Sequence, residues 1–224
     1  MERRRFKAWI RTPNLSLILI RKASAFSNPP LSIAMEISAG EAKKIKLKPI
    51  EATPESFMDY GQVIGPSPDG EEFGPQDAQL NLSEGTPRFY IMSLTNRPLG
   101  FSTITHHAKV TQCLGSIGGG AWYLGVAKPS IVAEAAAAPE EEGVKRSRCG
   151  HLYAAPEIEE VRVFRFSGPK FVKLGKGTWH AGPLFEGESM DFYNLELSDT
   201  NVVDHTTHNF SKEDGVVFAI EKSE

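Results

Sequence analysis

The sequence predicts a mainly β fold, a sandwich or barrel of short strands with a few short helices. Eight segments show either the apolar–polar alternation or the short apolar runs that are typical of strands. Turns rich in glycine and proline separate these segments at close spacing, as in β-sandwiches and β-barrels. A chain of 224 residues is also long enough to bury a sizeable core without disulfides or metal ions.

The elements follow one another from residue 45, where the compact domain is expected to begin. Apolar and polar residues alternate over 45–50, which predicts the first strand. Thr53, Pro54 and Gly61 then suit an N-cap, a first helical residue and a helix end, so a short helix is predicted over 53–61. A loop rich in turn-forming residues follows over 65–85. Further strands are predicted at 88–94, 102–105, 121–127, 161–166, 171–174, 192–197 and 216–220.

Two segments are set apart from this domain of residues 45–224. The N-terminal extension, 1–44, is basic and contains serines, and Glu2 is the only acidic residue before Glu36. That composition is typical of an organellar transit peptide, with a disordered tail or a translation start at Met35 as the alternatives. The second segment, 129–160, combines a run of alanines with three adjacent glutamates, so it is predicted to be an insertion containing a short helix.

Charge and cysteine usage exclude several classes of protein. The chain has 25 Lys and Arg against 28 Asp and Glu, without the basic excess that nucleic-acid binding requires. The most apolar stretch near the start is far shorter than the ~20 residues of a membrane span. Cys113 and Cys149 have the spacing of neither a zinc site nor a disulfide framework. We therefore expect an intracellular protein, cytoplasmic unless residues 1–44 direct import into chloroplasts or mitochondria.

Two distant segments are predicted to form the halves of one pocket. In the first, His106 and His107 follow a predicted strand. In the second, glycines at 175 and 177 allow a sharp corner, and Trp179 and His180 follow at once. Histidine is the side chain that ordinarily titrates near neutral pH, so these segments are the candidates for acid–base chemistry.

Both segments resemble the motifs of cupin barrels, which are His-x-His, four residues, Glu, six residues, Gly, and then Pro-x-Gly-x-x-His. The resemblance implies a single cupin-like β-barrel of the jelly-roll type. It places Thr105, His107, Gln112 and His180 at the four ligand positions. A neutral amide is a poor metal ligand and a threonine hydroxyl a rare one. No metal cofactor is therefore expected, with a divalent ion at His107 and His180 as the less favoured alternative.

A longer set of residues is similar, in order, to the ureidoglycolate lyase family, and most of all to its plant members. The matching residues are Arg88-Phe89, His107, Thr111-Gln112, Gly177, Trp179-His180, Pro183-Leu184 and Asp191-Phe192. The resemblance implies cleavage of ureidoglycolate to glyoxylate and urea by a homodimer. The chain departs from the bacterial pattern at Thr105 and His106, which stand in place of an acid and a base, and at Tyr90 and Ile91, which replace His-Asp.

The implied reaction assigns a role to each candidate residue. Cleavage of a carboxylated hemiaminal needs a base for the hydroxyl proton, an acid for the departing nitrogen and a cation for the carboxylate. His107 and His180 are the candidate base and acid. The candidate substrate-binding residues are Arg88, Lys109 and Lys176 for the carboxylate, Gln112 for the ureido group, and Trp179 as a pocket wall.

Two other functions are kept as alternatives. One is a cupin-like protein that binds a small anion without catalysis, and the other is a metal-dependent cupin oxygenase or isomerase. His205 and His208 could hold a metal by their spacing, but a surface loop is the favoured interpretation of that segment.

Overall fold

The computed structural model describes residues 42–133 and 143–222, and in these ranges the predicted mainly β fold is confirmed. The strands are β1 Lys43–Leu47, β2 Ile50–Glu51, β3 Gly61–Ile64, β4 Pro87–Thr95, β5 Gly100–Phe101, β6 Thr103–His106, β7 Gln112–Ser116, β8 Trp122–Ala127, β9 Ile131–Val132, β10 Val144–Arg146, β11 Leu152–Ala154, β12 Arg162–Phe166, β13 Phe171–Leu174, β14 Trp179–Leu184, β15 Ser189–Leu197, β16 Thr206–Asn209 and β17 Val216–Ile220. The described helices are α1 Thr200–Val203, α2 Phe210–Glu213 and a 3-10 turn at Ile158–Glu160.

The main core lies between the two largest sheets. One has six strands in the order β16-β6-β14-β8-β12-β2, and the other has five in the order β3-β13-β7-β15-β4. Trp122 and Phe166 of the six-stranded sheet stack with ring centroids 4.4 Å apart. Phe192 of the five-stranded sheet meets Trp122 edge-on at 5.3 Å. These buried rings join the sheets face to face, in the double-sheet arrangement of a jelly roll.

The other face of the six-stranded sheet is covered as well. The three-stranded sheet β1-β17-β5 packs there, and Phe218 of β17 lies in one core cluster with Trp179 of β14. Phe101 of β5 lies so close to Gly125 that a Cβ on this glycine would be 2.4 Å from the ring. Because β8 is buried on both faces, its sequence is a nearly continuous apolar run instead of an alternating one.

Hydrogen bonding divides the described strands among four sheets, so their ladders do not close into one cylinder. The fourth sheet, β10-β11-β9, is antiparallel and belongs to the insertion predicted over 129–160. The short helix predicted in that insertion falls on residues 134–142, which lie outside the described ranges.

Two local predictions were wrong. The segment predicted as a helix over 53–61 forms turns at residues 54–60 instead, although Thr53 Oγ1 does accept a hydrogen bond from Ser56 N at 3.1 Å. Gly61 already belongs to β3, which pairs with β13, so the turns end there. His208 lies in strand β16 instead of a surface loop, where it is buried and its Nε2 is 2.7 Å from Asp214 Oδ2.

The N-terminal boundary lies close to the expected one. The first described strand starts at Lys43, two residues before the predicted beginning of the domain. The predicted extension is otherwise outside the described residues. Within the described ranges, no helix has the length and apolar character needed to cross a lipid bilayer.

Candidate functional site

A cavity of about 570 Å³ lies between the two large sheets. Its wall is built mainly from β4, β6, β7, β14 and β15, with residues of the loop after β4 and of the α1 region at its rim. Thr105, His107, Gln112 and His180, the four positions carried over from the cupin motifs, all line it. The volume is within the range of small-molecule sites.

The rings of His107 and His180 lie next to each other in the lining of this cavity. Their ring centroids are 5.2 Å apart, although the residues are 73 positions apart in the chain. Antiparallel pairing of β14 with β6 causes this proximity, because the pair His180 and Thr105 sets the register two residues before His107. Two imidazoles so placed can act on the same small molecule.

The hydrogen bonds of the two rings define which nitrogen is available for chemistry. His107 Nδ1 bonds to the backbone carbonyl of Asp204, and His180 Nδ1 lies 3.2 Å from the carbonyl of Thr178. A carbonyl oxygen only accepts, so each Nδ1 carries a proton. In the neutral rings Nε2 is then the unprotonated atom, and neither Nε2 has a hydrogen-bond partner among the described residues.

The glycine-rich turn before β14 fixes the two halves of the site against each other. Gly177 N donates to the His107 carbonyl at 2.7 Å, and Thr178 Oγ1 donates to the carbonyl of Tyr60 at 2.7 Å. Gly177 has a φ of 79°, and a Cβ there would be 2.6 Å from Ile131 Cδ1. Both the backbone conformation and the close approach therefore require glycine at this position.

The segment after α1 brings a third imidazole to the cavity. The Asp204 carboxylate accepts hydrogen bonds from Ala108 N at 2.8 Å and from Lys109 N at 2.7 Å. These two hydrogen bonds fix the segment that carries the neighbouring His205, whose ring centroid is 5.6 Å from that of His107. His205 lines the cavity, so the site contains three adjacent imidazoles instead of the two that the motifs identify.

Burial and the neighbouring His107 ring keep two of these imidazoles, those of His180 and His205, uncharged. Burial, reinforced by the nearby His107 ring, lowers the pKa of His180 to about 3. The same two causes, in the same order, lower the pKa of His205. Both rings are therefore neutral at pH 7 and can accept a proton or a hydrogen bond at an unprotonated nitrogen.

The floor of the cavity is a polar network centred on a buried carboxylate. Glu196 is 1% exposed and accepts from Gln112 Nε2 at 3.2 Å and from Tyr90 OH at 3.2 Å. Asn194 accepts from Gln112 at 3.1 Å and donates to Tyr90 at 2.9 Å, which closes the ring. Since Gln112 uses its amide nitrogen twice, its orientation is fixed, and Oε1 is left without a partner among the described residues.

Two arginines lie near the cavity in different ways. Arg88 is outside the lining, where its guanidinium is 3.6 Å from Glu196 and 3.7 Å from the centre of the Tyr90 ring. Arg97 lines the cavity and is exposed, and it makes no ion pair with a described residue. Of the described lining residues, it is the one with a permanent positive charge. The cation best placed to meet a ligand carboxylate is therefore Arg97, not Arg88.

Three other predicted substrate-binding residues do not line the cavity. Lys109 contributes its backbone N–H to Asp204, and Lys176 lies in the turn before β14. Trp179 is fully buried on the opposite side of β14 from His180, with its ring centroid 4.1 Å from that of His106. Adjacent residues of a strand point to opposite faces, so Trp179 supports the core while His180 faces the cavity.

Of the residues singled out at the motif positions, the structure thus brings together Thr105, His107, Gln112 and His180. It adds Glu196 and Arg97, and also His205, which the sequence marked only for its spacing with His208. Glu196 and Arg97 lie outside both motifs, so no local pattern marked them. In the described ranges, no group of three or more His, Cys, Asp or Glu side chains has an arrangement suited to a metal ion.

Comparison with known proteins adds no assignment to this geometry. No protein-family model matches the sequence, and no curated protein matches it significantly.

Proposed function

We propose that the chain is a lyase that cleaves a small carboxylated ureide, with ureidoglycolate as the substrate and glyoxylate and urea as the products. The observation that carries the proposal is the convergence of His107, His180 and Gln112 on one cavity that also holds Arg97 at its rim. The resemblance of the chain to ureidoglycolate lyases names the substrate. The cavity supplies groups for each part of that molecule.

Arg97 is proposed to bind the substrate carboxylate, in place of the three basic residues that the sequence suggested. It is exposed at the rim and has no described ionic partner, so it can form a charge-assisted hydrogen bond with an incoming anion. At the floor, the Glu196 carboxylate and the unpartnered Oε1 of Gln112 are acceptors. A ureido group offers N–H donors, so it fits that end of the cavity.

The two facing imidazoles are proposed to move the protons. His180, neutral because burial lowers its pKa to about 3, takes the proton of the substrate hydroxyl on Nε2. The carbon–oxygen bond becomes a carbonyl as the carbon–nitrogen bond breaks, and the electron pair of that bond remains on the ureido nitrogen. The proton taken from the hydroxyl is relayed from His180 to the unprotonated Nε2 of His107, and from there to this nitrogen, so that the products are glyoxylate and urea and both rings return to their starting state. Each such proton transfer contributes roughly 10²–10⁴-fold to the rate of an enzyme.

The test is a glyoxylate assay on the purified 224-residue protein with racemic ureidoglycolate. We expect glyoxylate to form, and His180→Ala to reduce its rate at least about 100-fold. His208→Ala is the matched control, because that buried histidine bonds to Asp214 and does not line the cavity. Absence of turnover in the wild-type protein, or full activity in the His180 variant, would refute the proposal.

One observation favours a second candidate, a protein that binds a small anion without catalysis. An imidazole whose pKa is about 3 is a weak base, which suits a hydrogen-bond acceptor as well as a proton acceptor. This alternative predicts calorimetric binding of glyoxylate or ureidoglycolate that depends on Arg97, with no product formed over hours. Product formation separates the two candidates.

A further inference from the structure

The outer face of the five-stranded sheet carries an apolar groove of about 400 Å³. It extends across four neighbouring strands, from Phe89 on β4 over β15 and β7 to Phe171 on β13. Nine described residues line it, and all of them are uncharged. Because a polar group placed there would find few partners, the groove favours hydrocarbon.

One side of the groove is formed by the loop between β3 and β4. Gln62 of β3 fixes this loop, because its Oε1 accepts a hydrogen bond from Gln79 N at 2.9 Å and its Nε2 donates to the Asp77 carbonyl at 3.2 Å. Ala78 and Leu80, on either side of Gln79, line the groove. A side chain of the sheet therefore holds the loop in the position that forms the groove.

Large apolar side chains are exposed in this groove. Phe89 is 69% exposed, Tyr193 46% and Leu80 45%. The rings of Phe89 and Tyr193 stack with centroids 6.0 Å apart, so they form one continuous apolar wall. Transfer of such surface from water into contact with hydrocarbon is favourable, and an apolar ligand chain would gain binding free energy here.

Lys173 lies at the β13 end of the groove. It pairs in register with Cys113, a lining residue, and it points to the same face of β13 as Phe171 two positions earlier. Its side chain is partly buried, and it makes neither an ion pair nor a hydrogen bond with a described residue. Lysine is rarely buried without a partner, so this cation is available to an anionic group.

Polar groups around Lys173 are used elsewhere. Gln62, its cross-strand partner on β3, bonds to the loop, and the Asp77 carboxylate of that loop accepts from Gly74 N at 2.8 Å. Burial lowers the pKa of Lys173, and the neighbouring Cys113 offsets part of this effect. A carboxylate supplied by a ligand would stabilise the charged form of the lysine.

We propose that the groove and Lys173 together bind a free fatty acid of medium chain length. Phe89, Leu195, Cys113 and Lys173 form one row of cross-strand partners across the sheet. The carboxylate binds the Lys173 ammonium at one end of this row through a charge-assisted hydrogen bond. The hydrocarbon chain lies along the row toward Phe89 and covers the exposed rings.

The length of the row sets the length of the chain. It spans three inter-strand spacings of about 4.8 Å, which amounts to about 14 Å. Three single bonds of an extended chain advance about 3.5 Å, so this span matches about twelve bonds. Decanoate and dodecanoate therefore fit, whereas hexanoate leaves the Phe89 end of the groove empty.

This site is separate from the cavity of the proposed reaction. Successive residues of β7 and β15 point to opposite faces of the sheet. Gln112 and Glu196 accordingly line the cavity, while their neighbours Cys113 and Leu195 line the groove.

The test is isothermal titration calorimetry of the complete chain with decanoate, hexanoate and 1-decanol. We expect decanoate to bind in a 1:1 ratio. Hexanoate should bind at least about 100-fold more weakly, because each buried CH₂ contributes about threefold to fourfold to affinity. 1-Decanol, which has the same chain length without the charge, should bind about tenfold more weakly than decanoate.

Variants of the two halves of the site separate charge from chain. Lys173→Gln should weaken decanoate binding about tenfold and leave 1-decanol binding unchanged. Leu80→Asp should weaken both, because it places a carboxylate in the apolar wall. Lys46→Gln is the matched control for the charge, since Lys46 is exposed in β1 and lies outside the groove. Circular dichroism of each variant checks that the fold is retained.

Four outcomes would overturn the inference. One is the absence of saturable decanoate binding, and another is equal affinity in the Lys173→Gln and Lys46→Gln proteins. The third is loss of decanoate binding in Arg97→Ala, which would place the carboxylate in the cavity. The fourth is a dimer by light scattering that dissociates in Leu80→Asp and binds no decanoate, which would show that a second copy covers the groove. Glyoxylate formation is measured separately, so each of these failures is distinguishable from failure of the proposed reaction.

Discussion

Acidification between pH 7 and pH 5 should destabilise the folded chain through its buried histidines. Burial, with repulsion from His151 and then His107, lowers the pKa of His106 to about 3. Burial lowers the pKa of His180 to about 3 as well. In the unfolded chain both groups have the ordinary value of 6.5. Below pH 6.5 the unfolded state therefore binds protons that the folded state does not, and stability is lost as the pH falls toward 3.

The size of this loss follows from the two pKa values. For each histidine, the free energy of unfolding falls by about 1.4 kcal/mol per pH unit between pH 6.5 and pH 3. Between pH 7 and pH 5 only the part below 6.5 counts, so each histidine accounts for a loss of about 2 kcal/mol. The two groups together lower the free energy of unfolding by about 4 kcal/mol, against a typical total of about 5–15 kcal/mol. Lowered pKa values at His151 and His205 act in the same direction.

Urea unfolding at the two pH values measures this effect. Carboxyl groups titrate mostly below pH 5 in unfolded chains, so the interval isolates the histidines. His180→Gln removes one titrating group, and we expect the loss between pH 7 and pH 5 to shrink by about 2 kcal/mol relative to the wild type. The reasoning would be refuted if wild type and variant lost the same stability. It would also fail if the NMR signal of His180 titrated near 6.5.

Three further predictions concern single residues. Trp179→Ala should lower the free energy of unfolding by about 3–5 kcal/mol in denaturant titrations, because the ring is fully buried and its Nε1 donates to Ser130 Oγ at 2.8 Å. Arg97→Ala should raise KM for ureidoglycolate at least about tenfold and change kcat less, whereas Lys176→Ala should leave both constants unchanged in the same assay. Gly177→Ala should cost about 1–2 kcal/mol of stability in thermal unfolding, since φ is 79° and Ile131 leaves no room for a Cβ.

The strands were the part of the fold that the sequence could predict well. Each predicted segment from 88–94 to 216–220 contains or overlaps an observed strand. Alternation and short apolar runs identify strands because burial repeats with the two-residue period of the backbone. The prediction of a helix at 53–61 was wrong. Cap residues mark where a helix can start, but here strand β3 begins at Gly61 and pairs with β13, which leaves only turns before it.

The site was predictable only where its residues lay within a motif. His107, Gln112 and His180 lie at motif positions and line the cavity. Glu196 is in a strand whose sequence shows ordinary alternation, and its position beside Gln112 depends on the pairing of β15 with β7 across more than 80 residues. Arg97 follows β4 in a loop, and no spacing rule connects it with either motif. Contacts set by sheet order leave no trace in local sequence.

Two pairs of neighbouring residues, His106 with His107 and Trp179 with His180, depend on the same register between β6 and β14 for both core packing and the candidate site. Each pair, His106 with His107 and Trp179 with His180, sends one ring to either side of its sheet. On the core side, the ring centroids of His106 and Trp179 are 4.1 Å apart. On the cavity side, those of His107 and His180 are 5.2 Å apart. A shift of β14 by one residue against β6 would exchange these roles, placing Trp179 in the cavity and His180 in the core. Burial of the Trp179 indole therefore stabilises the strand register in which the His107 and His180 rings lie side by side in the cavity.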